Sequence, residues 1–176
     1  LLPVEGFAMM SYAALTEPMR AANLLAGRDL YEMVNIGRSM APVASSGAGL
    51  VAPQAKLGDD PRLDYLFVVA GGDPAAFADR AITGWLQRLA RRGVLLGGVS
   101  GGPVILAQAG LMEGRRMTVH WEHAAALSEA LPHLLIERTL YVIDRDRVTC
   151  AGGTAPMDLM HALIMQHHGA QFARLV

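Results

Sequence analysis

A single cysteine, Cys150, stands in 176 residues, which excludes an internal disulfide and fits a reducing, cytoplasmic setting. An excess of charge of one sign is also missing. Fifteen basic residues face 16 acidic ones, for a formal net charge of −1, so this segment has no broad basic face with which to grip nucleic acid by itself. No apolar run approaches the roughly 20 residues needed to cross a bilayer, and no membrane partner is expected. Leu1-Leu2-Pro3 carries no basic leader and runs straight into folded-looking sequence, so the chain is expected to begin partway along a first strand. There are no internal repeats and no linker, which leaves one domain over residues 1–176. The His, Cys, Asp and Glu residues show no metal-ligand spacing, and no glycine turn completes a Walker A or dinucleotide fingerprint, so neither metal nor cofactor is expected.

Apolar residues are abundant, at 52% against 18% charged, enough to fill a core without staples. The most informative stretch is Val94-Leu95-Leu96-Gly97-Gly98-Val99-Ser100-Gly101-Gly102-Pro103. An apolar run ends at a small polar residue flanked by glycines, and a helix-like stretch follows at once. This reads as a buried parallel strand turning sharply into a helix with Ser100 at the tip. Such an elbow strains the backbone of its tip residue and presents its hydroxyl beside a helix N-terminus.

Around it the chain alternates strands and helices. Leu1–Val4 reads as the end of a strand, Phe7–Leu25 as a helix closed by Gly27, and Tyr31–Ile36 as a second strand. Pro42–Pro53 reads as a short strand pair or an irregular connection. Leu66–Ala70 is a continuous apolar strand ending in Gly71-Gly72-Asp73-Pro74, and a helix over Ala75–Arg91 turns Trp85, Leu86 and Leu89 inward. Helices over Gly102–Ala109 and from Trp121, strands at Met117–Val119, Leu134–Ile136, Leu140–Ile143 and Val148–Ala151, and a last helix capped by Thr154 complete the pattern. Its fold class is α/β, a doubly wound, mostly parallel sheet covered on both faces.

Ligands in such folds bind at the carboxyl ends of the strands. If the strands before Gly71 and Ser100 are neighbours, the N–H groups of Gly72 and Gly101 are placed to hold a carboxylate or oxyanion. The alternative is two tight turns with no ligand. His120, after another short strand, is the best base for Ser100, or else a histidine that simply bonds backbone in a crowded turn. Trp121 and Glu122 pair an aromatic face with a carboxylate, which suits a small cation, or form an ordinary solvent-facing helix start. Cys150 reads as core, and His167-His168 as basic residues suited to a helix C-terminus.

The run Ala107–Glu122, with its Met117-Thr118-Val119-His120-Trp121-Glu122 end, closely resembles the ThiJ/PfpI-type, glutamine-amidotransferase-like domain of AraC-family transcriptional regulators of the GlxA type. Thr16-Glu17-Pro18-Met19-Arg20-Ala21-Ala22-Asn23 and Val142–Thr154 extend the resemblance over nearly the whole chain. It implies a flavodoxin-like three-layer α/β/α sandwich that senses a metabolite and dimerises. A separate C-terminal helix-turn-helix domain, absent from these 176 residues, would bind DNA. The resemblance is nearest to regulators that sense small amines such as glycine betaine, carnitine or arginine.

Enzymes of the wider superfamily place a cysteine at the elbow, an acidic residue on the first helix and a histidine nearby. Here the matching positions hold Ser100, Ser11 and His120, which implies that the thiolate chemistry is absent. The expected ligand-binding set is Ser100, Gly101, His120, Trp121, Glu122, Gly72 and Ser11, with no catalytic residue and a homodimer as the assembly. The rival expectation is a serine- or histidine-dependent hydrolase or hydratase.

Overall fold

The run Leu66–Ala70 is continuously apolar because both faces of its strand are covered. In the computed structural model, which describes residues 1–59 and 61–176, Leu66, Val68 and Ala70 join one core and Phe67 and Val69 the other. In chain order the first elements are β1 (Leu2–Pro3), α1 (Met9–Ala26), β2 (Ile36–Gly37), β3 (Val43–Ala44), β4 (Leu50–Val51), β5 (Ala55–Lys56), β6 (Tyr65–Ala70) and α2 (Arg80–Arg91). Next come β7 (Leu95–Ser100), α3 (Gly102–Gln108), β8 (Arg116–Met117), α4 (Trp121–Ala130) and β9 (Leu135–Ile136). The chain ends with β10 (Tyr141–Asp144), β11 (Arg147–Cys150), α5 (Ala155–His168) and α6 (Ala170–Ala173).

The central sheet has the order β1-β6-β7-β11-β10. It is parallel except for β10, which returns antiparallel to β11 through a hairpin whose Arg145 has φ +57. On one face Trp85, Leu86 and Leu89 of α2, Val104–Ala107 of α3 and Leu127 of α4 pack on Leu66, Val68 and Leu96. On the other, Leu15 and Met19 of α1 and Leu159, Met160 and Leu163 of α5 pack on Phe67, Val69, Val99 and Val148. This is the flavodoxin-like α/β/α sandwich. No helix among the described residues is long and apolar enough to cross a membrane.

Three local expectations are corrected. Of Tyr31–Ile36 only Ile36 enters a regular strand, Ile36–Gly37, parallel to Ala55–Lys56, while the segment meets the sheet edge through single bonds from Leu1 N to the Val34 carbonyl and from Ile36 N–H to the Leu1 carbonyl. At its start Asn23 of α1 takes the backbone: its Oδ1 accepts the N–H groups of Leu30 and Tyr31, and its Nδ2 donates to the Tyr31 carbonyl. The helix expected over Ala75–Arg91 is a 3-10 turn at Pro74–Ala76 followed by a fresh start, because the Asp79 carboxylate caps the N–H groups of Ala81 and Ile82. Thr154 precedes α5, but its side chain makes no capping hydrogen bond.

Candidate functional site

Three glycine-bearing turns meet at the carboxyl edge of the sheet. β6 and β7 are neighbours in register, with Ala70 opposite Ser100, and β11 lies on the other side of β7 with Cys150 opposite Val99. The turns at 70–73 and 151–154 therefore flank the elbow at Ser100. Helix α3 can leave β7 so abruptly because position 102 is glycine; any Cβ there would collide with the Val68 carbonyl oxygen.

Ser100 has φ +60, one of only two non-glycine residues with positive φ among those described. That conformation typically costs 1–3 kcal/mol on the order-of-magnitude scale for strained functional residues. The residue is 6% exposed, and no hydrogen bond ties its hydroxyl to another described residue. Among the described residues no fully buried side-chain N or O lacks a partner, so this hydroxyl keeps some contact with solvent at the elbow tip.

His120 stands immediately before α4, and its N–H donates to the Ser100 carbonyl at 3.3 Å. The backbone thus brings the two residues together, while the side chains stay unbonded to each other. His120 Nδ1 lies 3.4 Å from a Glu122 carboxylate oxygen instead. Trp121 is 76% exposed, with its ring 5.6 Å from that of His120. It and the exposed Glu122 sit on the outer rim rather than inside an enclosed cage.

Gly72 has φ +59 and an N–H that no described residue accepts, so it remains available to an anion. Gly101 differs from expectation. Its N–H donates to the Ala70 carbonyl at 3.1 Å, spent on closing the elbow, and cannot also hold a ligand in this conformation. Ser11, wholly buried on α1, accepts the Gly153 N–H at 2.9 Å.

Two residues at this edge carried no role in the sequence reading. His123, whose ring lies 5.8 Å from that of His120, has its pKa lowered by burial first and then by His120, while Glu122 and Asp73 act to raise it. Asp73, in the 70–73 turn, therefore faces the start of α4 electrostatically. Its place after Gly71-Gly72 was the only signal. On the far side of that turn a cavity of about 390 Å3 is bordered by Glu5, Gly72, Asp73, Phe77 and Asp79.

A larger cavity, about 550 Å3, lies at the opposite end of the sheet between the extended 31–34 segment and the start of β6. There His167 joins two phenols, Tyr31 at 3.1 Å and Tyr65 at 2.9 Å. It is remote from the elbow. Cys150 is core, with its thiol pushed up to about 12 by burial. Among the described residues no three His, Cys, Asp or Glu side chains gather as a metal-ligand set.

A mostly parallel sheet sandwiched between helices, with a strained residue at a strand-to-helix elbow, places the chain in the flavodoxin-like class. The chain belongs to the DJ-1/PfpI family, whose model matches residues 7–166. It is 48% identical over 177 residues to the HTH-type transcriptional regulator GlxA of Rhizobium meliloti, covering 99% of this chain and 54% of that protein. To the HTH-type transcriptional regulator CdhR of Pseudomonas aeruginosa it is 43% identical over 173 residues, covering 98% and 51%. The chain thus spans about half the length of the curated relatives it matches. Among solved structures, an AraC family transcriptional regulator from Pseudomonas putida superposes with a TM-score of 0.87 at 26% identity, over 98% of this chain and 93% of that one.

Proposed function

We propose that this chain is the effector-sensing and dimerisation domain of an AraC-family DNA-binding transcription regulator, responding to a small amine or amino-acid metabolite. DNA is bound, on this reading, only through a helix-turn-helix domain beyond these residues. The observation that carries the proposal is the state of Ser100. It is strained and not wholly buried, yet is not hydrogen-bonded to His120, whose ring faces Glu122. A serine without a hydrogen-bonded base is a poor nucleophile. The same hydroxyl, on the strand next to the turn that carries the unpaired Gly72 amide, is a good partner for a carboxylate or other polar group. The names of the relatives point the same way.

The effector's polar end meets Ser100 and Gly72, His120 adds a hydrogen bond, and the carboxylates of Glu122 and Asp73 favour a cationic end. Binding shifts a pre-existing equilibrium between two arrangements of a homodimer, by no more than the effector's differential affinity for them. The test is thermal unfolding against glycine betaine, carnitine, choline and arginine. At about 100 times the dissociation constant a ligand stabilises the fold by about 2.7 kcal/mol. Ser100→Ala, which keeps the Cβ and removes the hydroxyl, is expected to shrink the shift. An equal shift in the variant would move the site away from the elbow.

A further inference from the structure

The family resemblance implies that Ser11 takes the place of an enzyme's acid and sets it among the ligand contacts. The geometry points to a different task. Its Oγ is wholly buried and accepts the Gly153 N–H across 142 positions of chain. Gly152 and Gly153 form the turn from β11 to α5, and both are left-handed, at φ +90 and +61. Gly152 lies directly against the elbow: a Cβ there would stand 2.7 Å from the Ser100 Cβ and 2.9 Å from its Oγ. Its carbonyl accepts the N–H of Ala155, the first residue of α5, at 3.1 Å.

The turn is therefore joined on one side to Ser100 by contact, on a second to α1 by one buried hydrogen bond, and on a third to α5 by the chain itself. Helices α1 and α5 share a core through Leu15, Met19, Leu159, Met160 and Leu163. A ligand atom that meets the Ser100 hydroxyl arrives beside Gly152, and two consecutive glycines give the turn freedom to yield. We propose that Ser11 is a positioning residue that latches the Gly152–Gly153 turn over the elbow, and that this turn passes occupancy at Ser100 to the α1–α5 pair. The second half of this proposal rests on the elbow being the effector site; the latch itself does not.

The test needs no effector. Ser100→Cys gives the elbow a thiol whose alkylation by iodoacetamide reports access, while Cys150 stays silent because it is buried and its pKa is about 12. Adding Ser11→Ala is expected to raise the alkylation rate about tenfold, the population shift that follows from losing one hydrogen bond. Amide exchange of Gly153 is expected to be protected in the unmodified protein and to accelerate by a similar factor in Ser11→Ala.

The alkylated Ser100→Cys protein then serves as an occupied elbow. Exchange is expected to rise at Gly153 and in the first turn of α5, with β6 unchanged. An unaltered alkylation rate in the folded Ser11→Ala variant overturns the latch, and so does a Gly153 amide that exchanges like an open loop in the unmodified protein, which is read even if Ser11→Ala does not fold. No change at Gly153 and α5 on alkylation overturns the relay. Amines that fail to bind while the alkylation change is present sink the sensing proposal and leave the latch standing.

Discussion

Placing an alanine at Gly152 and at Gly153 separates backbone strain from contact with the elbow. Both glycines have positive φ, so each alanine incurs a left-handed penalty of about 1–2 kcal/mol. At Gly153 that is the whole effect, since a Cβ there meets nothing within 4 Å. At Gly152 the new Cβ falls 2.7 Å from the Ser100 Cβ and 2.9 Å from its Cα. The second of these is backbone and cannot swing aside. Forcing in the extra methyl is expected to cost a further 1–3 kcal/mol, roughly, by analogy with overpacked cores. For a domain of this size each kcal/mol lowers the melting temperature by about 2–4 °C, so Gly152→Ala should melt roughly 2–12 °C below Gly153→Ala. Circular dichroism melts of the two variants under one buffer measure the gap. Equal melting temperatures would refute the close approach of Gly152 to Ser100, and with it the arrangement of the elbow described above.

Acidification offers a second test. The pKa values of His167 and His123 are lowered from 6.5, by burial first and then by a neighbouring histidine, so the unfolded chain binds more protons than the native one below that value. Stability should be undiminished above about pH 6.5 and fall as pH drops through it toward the lowered native values; urea midpoints between pH 7.5 and 5 read this, and His167→Gln should flatten part of the slope. Asp79→Ala removes the α2 cap and the ion pair with Arg38 and should cost about 1–2 kcal/mol, whereas Asp79→Asn keeps the capping oxygen and should lose less than about 1 kcal/mol in the same urea titration. Trp121→Ala, at an exposed position, should leave stability within about 0.5 kcal/mol while weakening calorimetric binding of a quaternary amine by about 0.5–1 kcal/mol.

What was legible in the sequence follows from how much of the signal was local. Leu66–Ala70 and Leu95–Ser100 announced themselves because a strand buried on both faces has no polar positions to blur its limits. The elbow was equally plain, since Ser100 sits between strand and helix patterns with glycines where backbones touch. The interruption between Ala76 and Arg80 was hidden because Asp73 and Asp79 act as caps only once their side chains fold back. Tyr31–Asn35 looked like a strand, and the competing Asn23 side chain lies eight residues before Tyr31.

The candidate site was half legible. The side-by-side Gly72 and Ser100 turns needed only adjacent strands, and β6 and β7 are adjacent. That Gly101 spends its N–H on Ala70, and that Ser11 bonds Gly153, are long-range facts with no trace in spacing. Nor does sequence spacing decide which way the His120 ring faces; the helix start puts Glu122 within its reach.

The most direct test of the central claim is ligand-observed NMR of glycine betaine, carnitine, choline and arginine, each incubated with this domain and followed for hours. A sensor predicts that at least one amine shows saturation transfer that Ser100→Ala weakens, while its own resonances persist without product. New product signals that vanish in both Ser100→Ala and His120→Ala would contradict the account and make the elbow a working active site.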